Sequence, residues 1–293
     1  MKKLLFILFL IPSLTYCQKF GVMEGIIASS GSISYDPDAV KFFAKVANNG
    51  GTLTLTEKSA VSRLCKDLKD SSLWTLRYGI YPYVGTDSNS MKTNLADTSK
   101  NSNLVNPNGA MTFTSLGFHS GGGGFNTKIV PSTTFAGVNN WSAAFSSSID
   151  AAASSFNYDI GAQQGGGPFI LISARRSSDG SMLMDGGGYF RESSTGNSTA
   201  NGIYVGSSTA ASTAGTILYK NGTDMGSSIA SGVDGTNSLP TIPLYIGCNN
   251  SSGTVSGATI RTYGFAWIGQ GLTSTQARQL TNIIQRFNTT LGR

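Results

Sequence analysis

Gly215-Thr-Ile-Leu-Tyr-Lys-Asn-Gly-Thr223, then Ile242-Pro-Leu-Tyr-Ile-Gly-Cys248, then Thr262-Tyr-Gly-Phe-Ala-Trp-Ile-Gly-Gln-Gly-Leu-Thr273 is the series on which the fold of this chain turns. Three apolar runs follow one another between turn residues. The first ends on Asn221-Gly222, a pair that accepts positive φ at both central positions of a type I′ turn, so a hairpin is expected there. In the third run Tyr263, Phe265 and Trp267 alternate with Gly264, Ala266 and Ile268. A period of two predicts the three large rings on one face of a strand, and that face is built for burial.

The composition agrees with many short strands joined by polar turns. Charged residues make up 12% of the 293, about half the usual share, and glycine is abundant at 37. Hydrophobic residues at 39% are enough for a packed core and exclude a disordered chain. The formal charge of +6 includes Lys2 and Lys3 at the N-terminus, and the other cations are scattered without a basic stripe. Nucleic acid is therefore not an expected partner.

Residues 1–18 carry a basic start, an apolar run from Leu4 to Leu14 and then Thr-Tyr-Cys-Gln. This is the layout of a secretory signal, and the run is too short for a stable membrane span, which needs about 20 residues. Cleavage, retention and lipidation at Cys17 stay open, although the bulky Tyr16 departs from a lipobox. The other cysteines, Cys65 and Cys248, are expected as buried free thiols.

Residues 19–35 read as an extended lead-in and 36–85 as a small helical region. Asp36-Pro37 opens one helix with an apolar stripe of Val40, Phe43, Ala44 and Ala47. Thr54 and Glu57, at capping-box spacing, open a second with Val61, Leu64, Cys65 and Leu68 on one face. The aromatic run Trp74 to Gly85 is expected to dock this pair to a sheet. Residues 86–293 read as a jelly-roll β-sandwich with a closing C-terminal helix, which Thr273 to Gln276 open in capping-box form and whose stripe is Ala277, Leu280, Ile283, Ile284 and Phe287. Residues 111–118 read as one strand. Trp141, Ala143 and Phe145 alternate with Ser142, Ala144 and Ser146, the pattern of a strand with one dry and one wet face, whereas Phe169 to Ile172 is apolar on both sides and belongs in the middle of a sheet.

The Tyr-x-Asn-Gly, Ile-Gly and final aromatic strands, in this order, resemble the C-terminal half of a laminin-G-like, concanavalin-A-like jelly roll. A wider series is similar to bacteriophage virion or tail-associated structural proteins. It comprises Gly-Ile-Ile-Ala-Ser-Ser (25–30), Asp-Pro-Asp-Ala (36–39), Asp-Leu-Lys-Asp-Ser-Ser-Leu-Trp (67–74), Ile-Tyr-Pro-Tyr-Val-Gly (80–85), Phe-Ala-Trp-Ile-Gly-Gln-Gly-Leu-Thr (265–273) and Phe-Asn-Thr-Thr-Leu-Gly-Arg (287–293). The resemblance implies a mainly β sandwich in a non-enzymatic structural or surface-display protein of a virion or extracellular assembly, with other subunits as partners. The signal-like start departs from a virion protein and equally allows an exported surface protein. The alternative is a secreted carbohydrate-binding adhesion module with glycans as partners.

The chemistry-bearing residues are few. Jelly rolls that hydrolyse glycosides need two carboxyl groups flanking the bond, commonly at alternate positions of one strand. Glutamate occurs at 24, 57 and 192 only, and Glu192 has no acidic neighbour two or four residues away, so no enzyme is expected. His119 beside Ser120 lacks a nucleophile-elbow context, and one histidine makes a zinc site unexpected. The glycine runs 121–124, 165–167 and 186–188 lack a phosphate-loop continuation and read as tight loops. Asp87, Asn94 and Asp97 could coordinate calcium but lack the pattern of a calcium loop, so solvated turns are favoured. Tyr189, Phe190 and Arg191 suit either a glycan platform or a buried strand start. No catalytic, ligand-binding or metal residue and no cofactor is singled out.

Overall fold

The computed structural model describes residues 34–105, 110–149, 157–175, 180–186, 189–193, 197–210, 215–231 and 238–293. The signal-like segment, Cys17 and almost all of the lead-in fall outside them. Two helices come first, α1 Pro37–Asn48 and α2 Leu55–Asp70, then β1 Arg77–Tyr81, a short helix α3 Ser88–Met91, β2 Asn103–Val105, β3 Thr112–Thr114, β4 Gly117–His119 and β5 Gly124–Asn126. A short helix α4 Pro131–Thr134 precedes β6 Trp141–Ser147, β7 Ile160–Gln163, β8 Phe169–Ser173, β9 Leu183–Gly186, β10 Tyr189–Ser193, β11 Gly202–Ser208 and β12 Thr216–Lys220. The chain ends with β13 Thr223–Asp224, β14 Gly226–Ser231, β15 Tyr245–Ile246, β16 Asn249–Ser251, β17 Thr254–Ser256, β18 Thr262–Gly269 and α5 Ser274–Thr290.

Among the described residues the strands form two sheets. The first runs β13-β12-β11-β6-β18-β4-β3, with β1 also paired to β18. The second runs β14-β10-β9-β8-β7-β15-β5-β2, with β16 and β17 attached at β7. Pairing is antiparallel apart from β16 with β7. This is a mainly β sandwich of two largely antiparallel sheets, with helices before and after the strands. β8 lies between β7 and β9, inside its sheet, as its apolar run predicts.

Two cores hold the layers together. Between the sheets lie Phe118, Trp141, Phe145, Ile170, Met184, Tyr204 and Tyr263. On the other side of the first sheet, Ala144, Val205, Tyr219, Phe265 and Trp267 meet Phe42, Leu64, Cys65 and Leu68 of the first helices and Ile284 and Phe287 of α5. Cys65 and Cys248 are both buried and free. The first sheet is therefore dry on both faces, and β6 is buried along its whole length. The expected wet face is corrected: Ser142, Ala144 and Ser146 are small because a helical layer covers them. Ser142 shows why serine suits the position, since its hydroxyl accepts from Trp267 Nε1 at 2.9 Å and donates to the Gln270 carbonyl at 2.6 Å.

Local signals were realised in most places. Asn221 and Gly222 take φ of +50° and +78° in the β12–β13 turn. Thr54 with Glu57 and Thr273 with Gln276 form reciprocal capping boxes. The stripes of α2 and α5 are buried as expected. In α1 the buried residues are Ala39, Phe42 and Val46, while Val40 faces out, so the stripe sits one residue from its expected place. Residues 111–118 are the arms of the β3–β4 hairpin rather than one strand. The aromatic run does more than dock the helices, since Arg77–Tyr81 is itself a strand with Ile80 opposite Trp267.

The third decisive run carries the largest departure. Tyr263 stands opposite Ser147 and Phe265 opposite Ser146, so Gly264 is an extra residue, a bulge in β18. One inserted residue moves every later side chain to the other face. Tyr263 enters the inter-sheet core, whereas Phe265 and Trp267 enter the helix-facing core. Tyr263 also closes a buried polar cluster, donating to Asp159 Oδ1 at 2.5 Å. Arg261 Nη1 reaches both oxygens of the same carboxylate at 2.7 and 2.6 Å, and the Ala174 N–H donates to Oδ2 at 2.7 Å.

Candidate functional site

The Gly264 bulge opens a polar cleft on the helix-facing side of the first sheet. Its volume is about 190 Å³, and the end of β6 (Ser146, Ser147, Ser148), the start of β11 (Asn201, Gly202), α5 (Gln285, Asn288) and Arg293 contribute to its walls. Each element has a reason to be there. β6 ends in a serine run at the point where the bulge turns β18 aside, and α5 is held over the sheet by Ile283, Ile284 and Phe287, so Asn288 falls beside the bulge.

Three polar groups converge on the space that a side chain at position 264 would fill. A Cβ placed there would lie 3.1 Å from Ser146 Oγ, 3.4 Å from Asn288 Oδ1 and 3.4 Å from Arg293 Nη1. Ser146 and Asn288 are only 5% and 8% exposed, yet Ser146 Oγ and Asn288 Oδ1 make no hydrogen bond within the protein. A buried polar atom without a partner costs about 1–3 kcal/mol, so a pair facing one small space is a place for a water or a ligand hydroxyl. The third group is fixed in place. Arg293 donates through Nε to the Ser115 carbonyl at 2.7 Å, through Nη1 to that of Gly264 at 2.8 Å and through Nη2 to that of Tyr83 at 2.8 Å. Burial pulls its pKa down to about 10, only partly offset by the field of Glu57. No carboxylate among the described residues lies within ion-pair distance of it. The cleft thus offers an acceptor, a hydroxyl of either sense and a positive donor.

Residues that drew attention in the sequence lie elsewhere. His119 Nδ1 is 3.3 Å from Thr262 Oγ1, while the buried Ser120 hydroxyl donates to the Thr259 carbonyl at 2.6 Å. Asp87 caps α3 by accepting from the Ser90 N–H, Asn94 accepts from the N–H groups of Ile80 and Ala96, and Asp97 accepts from Ser99. Each thus stabilises its own turn, and among the described residues no group of three or more metal-binding side chains assembles. Arg191 points between the sheets and pairs with Asp224 at 2.8 Å. Of the third glycine run only Gly186 is described, packed so closely on Trp141 that a Cβ would lie 2.5 Å from the indole. No helix among the described residues is long and apolar enough to cross a membrane. The cleft itself is not legible in the sequence because its residues, from Leu116 to Arg293, are far apart along the chain, and the one local clue, a glycine among aromatic residues in β18, reads as ordinary alternation.

The acids also rearrange in the fold. Leu183 pairs with Glu192 and Asp185 with Phe190 across β9 and β10. Met184 enters the inter-sheet core, so Leu183, Asp185 and Glu192 share the opposite face of their sheet. Diagonal neighbours of this kind lie about 7–8 Å apart, with their Cβ atoms somewhat closer. Glu192 therefore has an acidic neighbour, supplied by the adjacent strand.

No family model and no curated protein matches the chain. Among solved structures it is similar to a mutant of Trypanosoma rangeli sialidase displaying trans-sialidase activity, at 14% identity and a TM-score of 0.45, over 78% of this chain and 40% of that one. It is similar to the CBM40 of Ruminococcus gnavus IT-sialidase at 9% identity and a TM-score of 0.36, over 50% of this chain and 84% of that one. The NanB sialidase of Streptococcus pneumoniae matches at 10% identity and a TM-score of 0.34, over 51% of this chain and 25% of that one. The chain spans about two-fifths of the length of the first of these. The expectation of a non-enzymatic chain is corrected here: the matching structures include sialidases, and the ground for that expectation fails in the fold. That expectation considered acids along one strand only, whereas Asp185 is a diagonal neighbour of Glu192 on the adjacent strand. Likeness at these TM-scores assigns no activity to this chain.

Proposed function

We propose that the chain binds saccharides noncovalently and that the Gly264 cleft holds one sugar unit. The observation that carries this reading is the pair of buried, unpartnered atoms, Ser146 Oγ and Asn288 Oδ1, facing the guanidinium of Arg293 across a space without a side chain. A sugar presents several hydroxyls within one ring, each able to donate and accept, and can satisfy all three groups at once. The cleft is small for a drug-sized ligand, for which about 300–1,000 Å³ is usual, and matches the tip of a chain better than its length.

The test compares wild type with Gly264→Ala on a broad glycan panel and by calorimetry with the strongest binder. Gly264 does not have a positive φ, so the backbone accepts alanine, and its methyl fills the space once the Ser146 hydroxyl, 3.1 Å away, gives by a few tenths of an ångström. Loss of retention is expected in the variant. Equal retention by both proteins would mean that the cleft holds only water.

A place on the surface of a particle or cell is the setting we propose for such a module. Its support is the sequence likeness to virion proteins at 67–74, 80–85 and 265–273, together with the signal-like start. Recovery of the native protein in purified particles, or in the medium with residues 1–18 removed, tests it.

A further inference from the structure

A second cavity, of about 280 Å³, lies where the start of β1, the turn after Leu95 and the segment leading into α4 meet. Arg77, Lys100 and Lys128 line it, with Asp97 as the one acid in the lining. Asp97 is already engaged: its Oδ1 accepts from the Ser99 N–H at 3.0 Å and the Ser99 hydroxyl at 2.6 Å, and its Oδ2 is 3.5 Å from Lys100 Nζ. That leaves two cations in excess.

Arg77 is the unusual member. Its guanidinium lies over the Trp74 ring, 3.8 Å from the centroid, and Nη1 donates to the Trp74 carbonyl. Nε is buried and has no acceptor, and no carboxylate among the described residues forms an ion pair with it. Burial lowers its pKa, as for a cation short of counter-charge. Lys128 is held at the rim with a φ of +61°, its N–H donating to Asn126 Oδ1 at 2.8 Å, and its ammonium has no ion-pair partner among the described residues. Tyr78, stacked on Phe135 with centroids 5.4 Å apart, and Ile129 add apolar wall, and Thr134 adds a hydroxyl.

From this we infer that Arg77, Lys100 and Lys128 form a pocket for one compact oxyanion, a carboxylate, sulfate or phosphate, free or carried on a small ring. A guanidinium meets such a group through charge-assisted hydrogen bonds, and the lysines act as point charges around it. The pocket does not involve the Gly264 cleft, so the two sites fail separately.

The test titrates the full chain with sodium sulfate, sodium phosphate, sodium glucuronate and glucose at constant ionic strength set with sodium chloride, following Tm and calorimetric heat. Because sulfate stabilises most proteins by exclusion, the comparison is with the double variant Lys100→Gln/Lys128→Gln, whose exposed positions leave the core untouched. At least one oxyanion should bind wild type and bind the variant about ten-fold more weakly, as expected for the loss of charged hydrogen bonds, with glucose inert. Tighter binding of glucuronate than of the inorganic ions would identify a saccharide carboxylate as the source of the anion, and the reverse a free ion. Gly264→Ala should leave these titrations unchanged. Identical oxyanion responses in wild type and the double variant would overturn the inference.

Discussion

Ser146→Ala should stabilise the ligand-free chain while weakening its hold on a saccharide. Ser146 is 95% buried, shares the cleft with Asn288 of α5, and its hydroxyl makes no hydrogen bond in the protein. An orphan of this kind costs about 1–3 kcal/mol, and exchanging serine for alanine removes the oxygen alone, leaving backbone and Cβ in place. Some of that penalty is relieved by water entering the cleft, so the lower end applies, a gain of about 1 kcal/mol. For a folded unit of this size that corresponds to a rise in Tm of about 2–4 °C. Scanning calorimetry without ligand reads the first effect. Titration with the strongest glycan reads the second, expected as a two- to ten-fold weaker Kd, the value of one neutral hydrogen bond. A fall in Tm of about 2 °C or more would refute the reasoning. It would mean that the hydroxyl holds the bulge together and is not kept for an occupant.

Three further outcomes follow from other parts of the fold. Arg261→Leu strands the Asp159 carboxylate, which is fully buried and keeps only its bonds from Tyr263 and Ala174, and should cost about 3–5 kcal/mol by urea denaturation; a loss under about 1 kcal/mol would contradict the ion pair's role. Stability should fall with alkali from pH 9 upward. Burial raises Cys248 to about 12 and also raises Cys65, Tyr81, Tyr83 and Tyr263, so these groups keep their protons folded while the unfolded chain loses them from the ordinary values of 9.0 and 10.0. Arg293 and Arg77, whose pKa values burial lowers, act in the opposite sense above pH 10 but are outnumbered; a urea midpoint unchanged between pH 8 and 10.5 would contradict this. Gly117→Ala should prevent folding, since φ is +120° and a Cβ would lie 1.9 Å from the Tyr263 carbonyl oxygen; a soluble variant with a native circular dichroism spectrum would count against the strand register at β4.

The parts of this fold that were legible in the sequence are those set by neighbours along the chain. Asn221-Gly222 turns where its φ preferences require, Thr54 and Thr273 cap the helices that follow them, and Ala277 to Phe287 bury the stripe that a period of 3.6 marks out. The rest depends on what covers a face. Ser142, Ala144 and Ser146 are polar or small in a pattern that fits water equally well, and only the helical layer over that face makes them interior. Tyr263 and Trp267 look equivalent until an extra residue at Gly264 puts them in different cores. Glu192 is isolated along its own strand and gains Asp185 only through hairpin pairing. The cleft is a product of the same long-range effects: it needs the bulge, the end of β6 and the last turn of α5 together, and none of them marks a site alone.

Calorimetric titration of wild type and Gly264→Ala with the glycan that wild type retains best tests the central claim most directly. Saturable binding by wild type and loss of at least ten-fold in the variant, with Tm within about 2–4 °C of wild type, is the expected result. Equal affinity in two equally folded proteins would remove the cleft from the account of what this chain does.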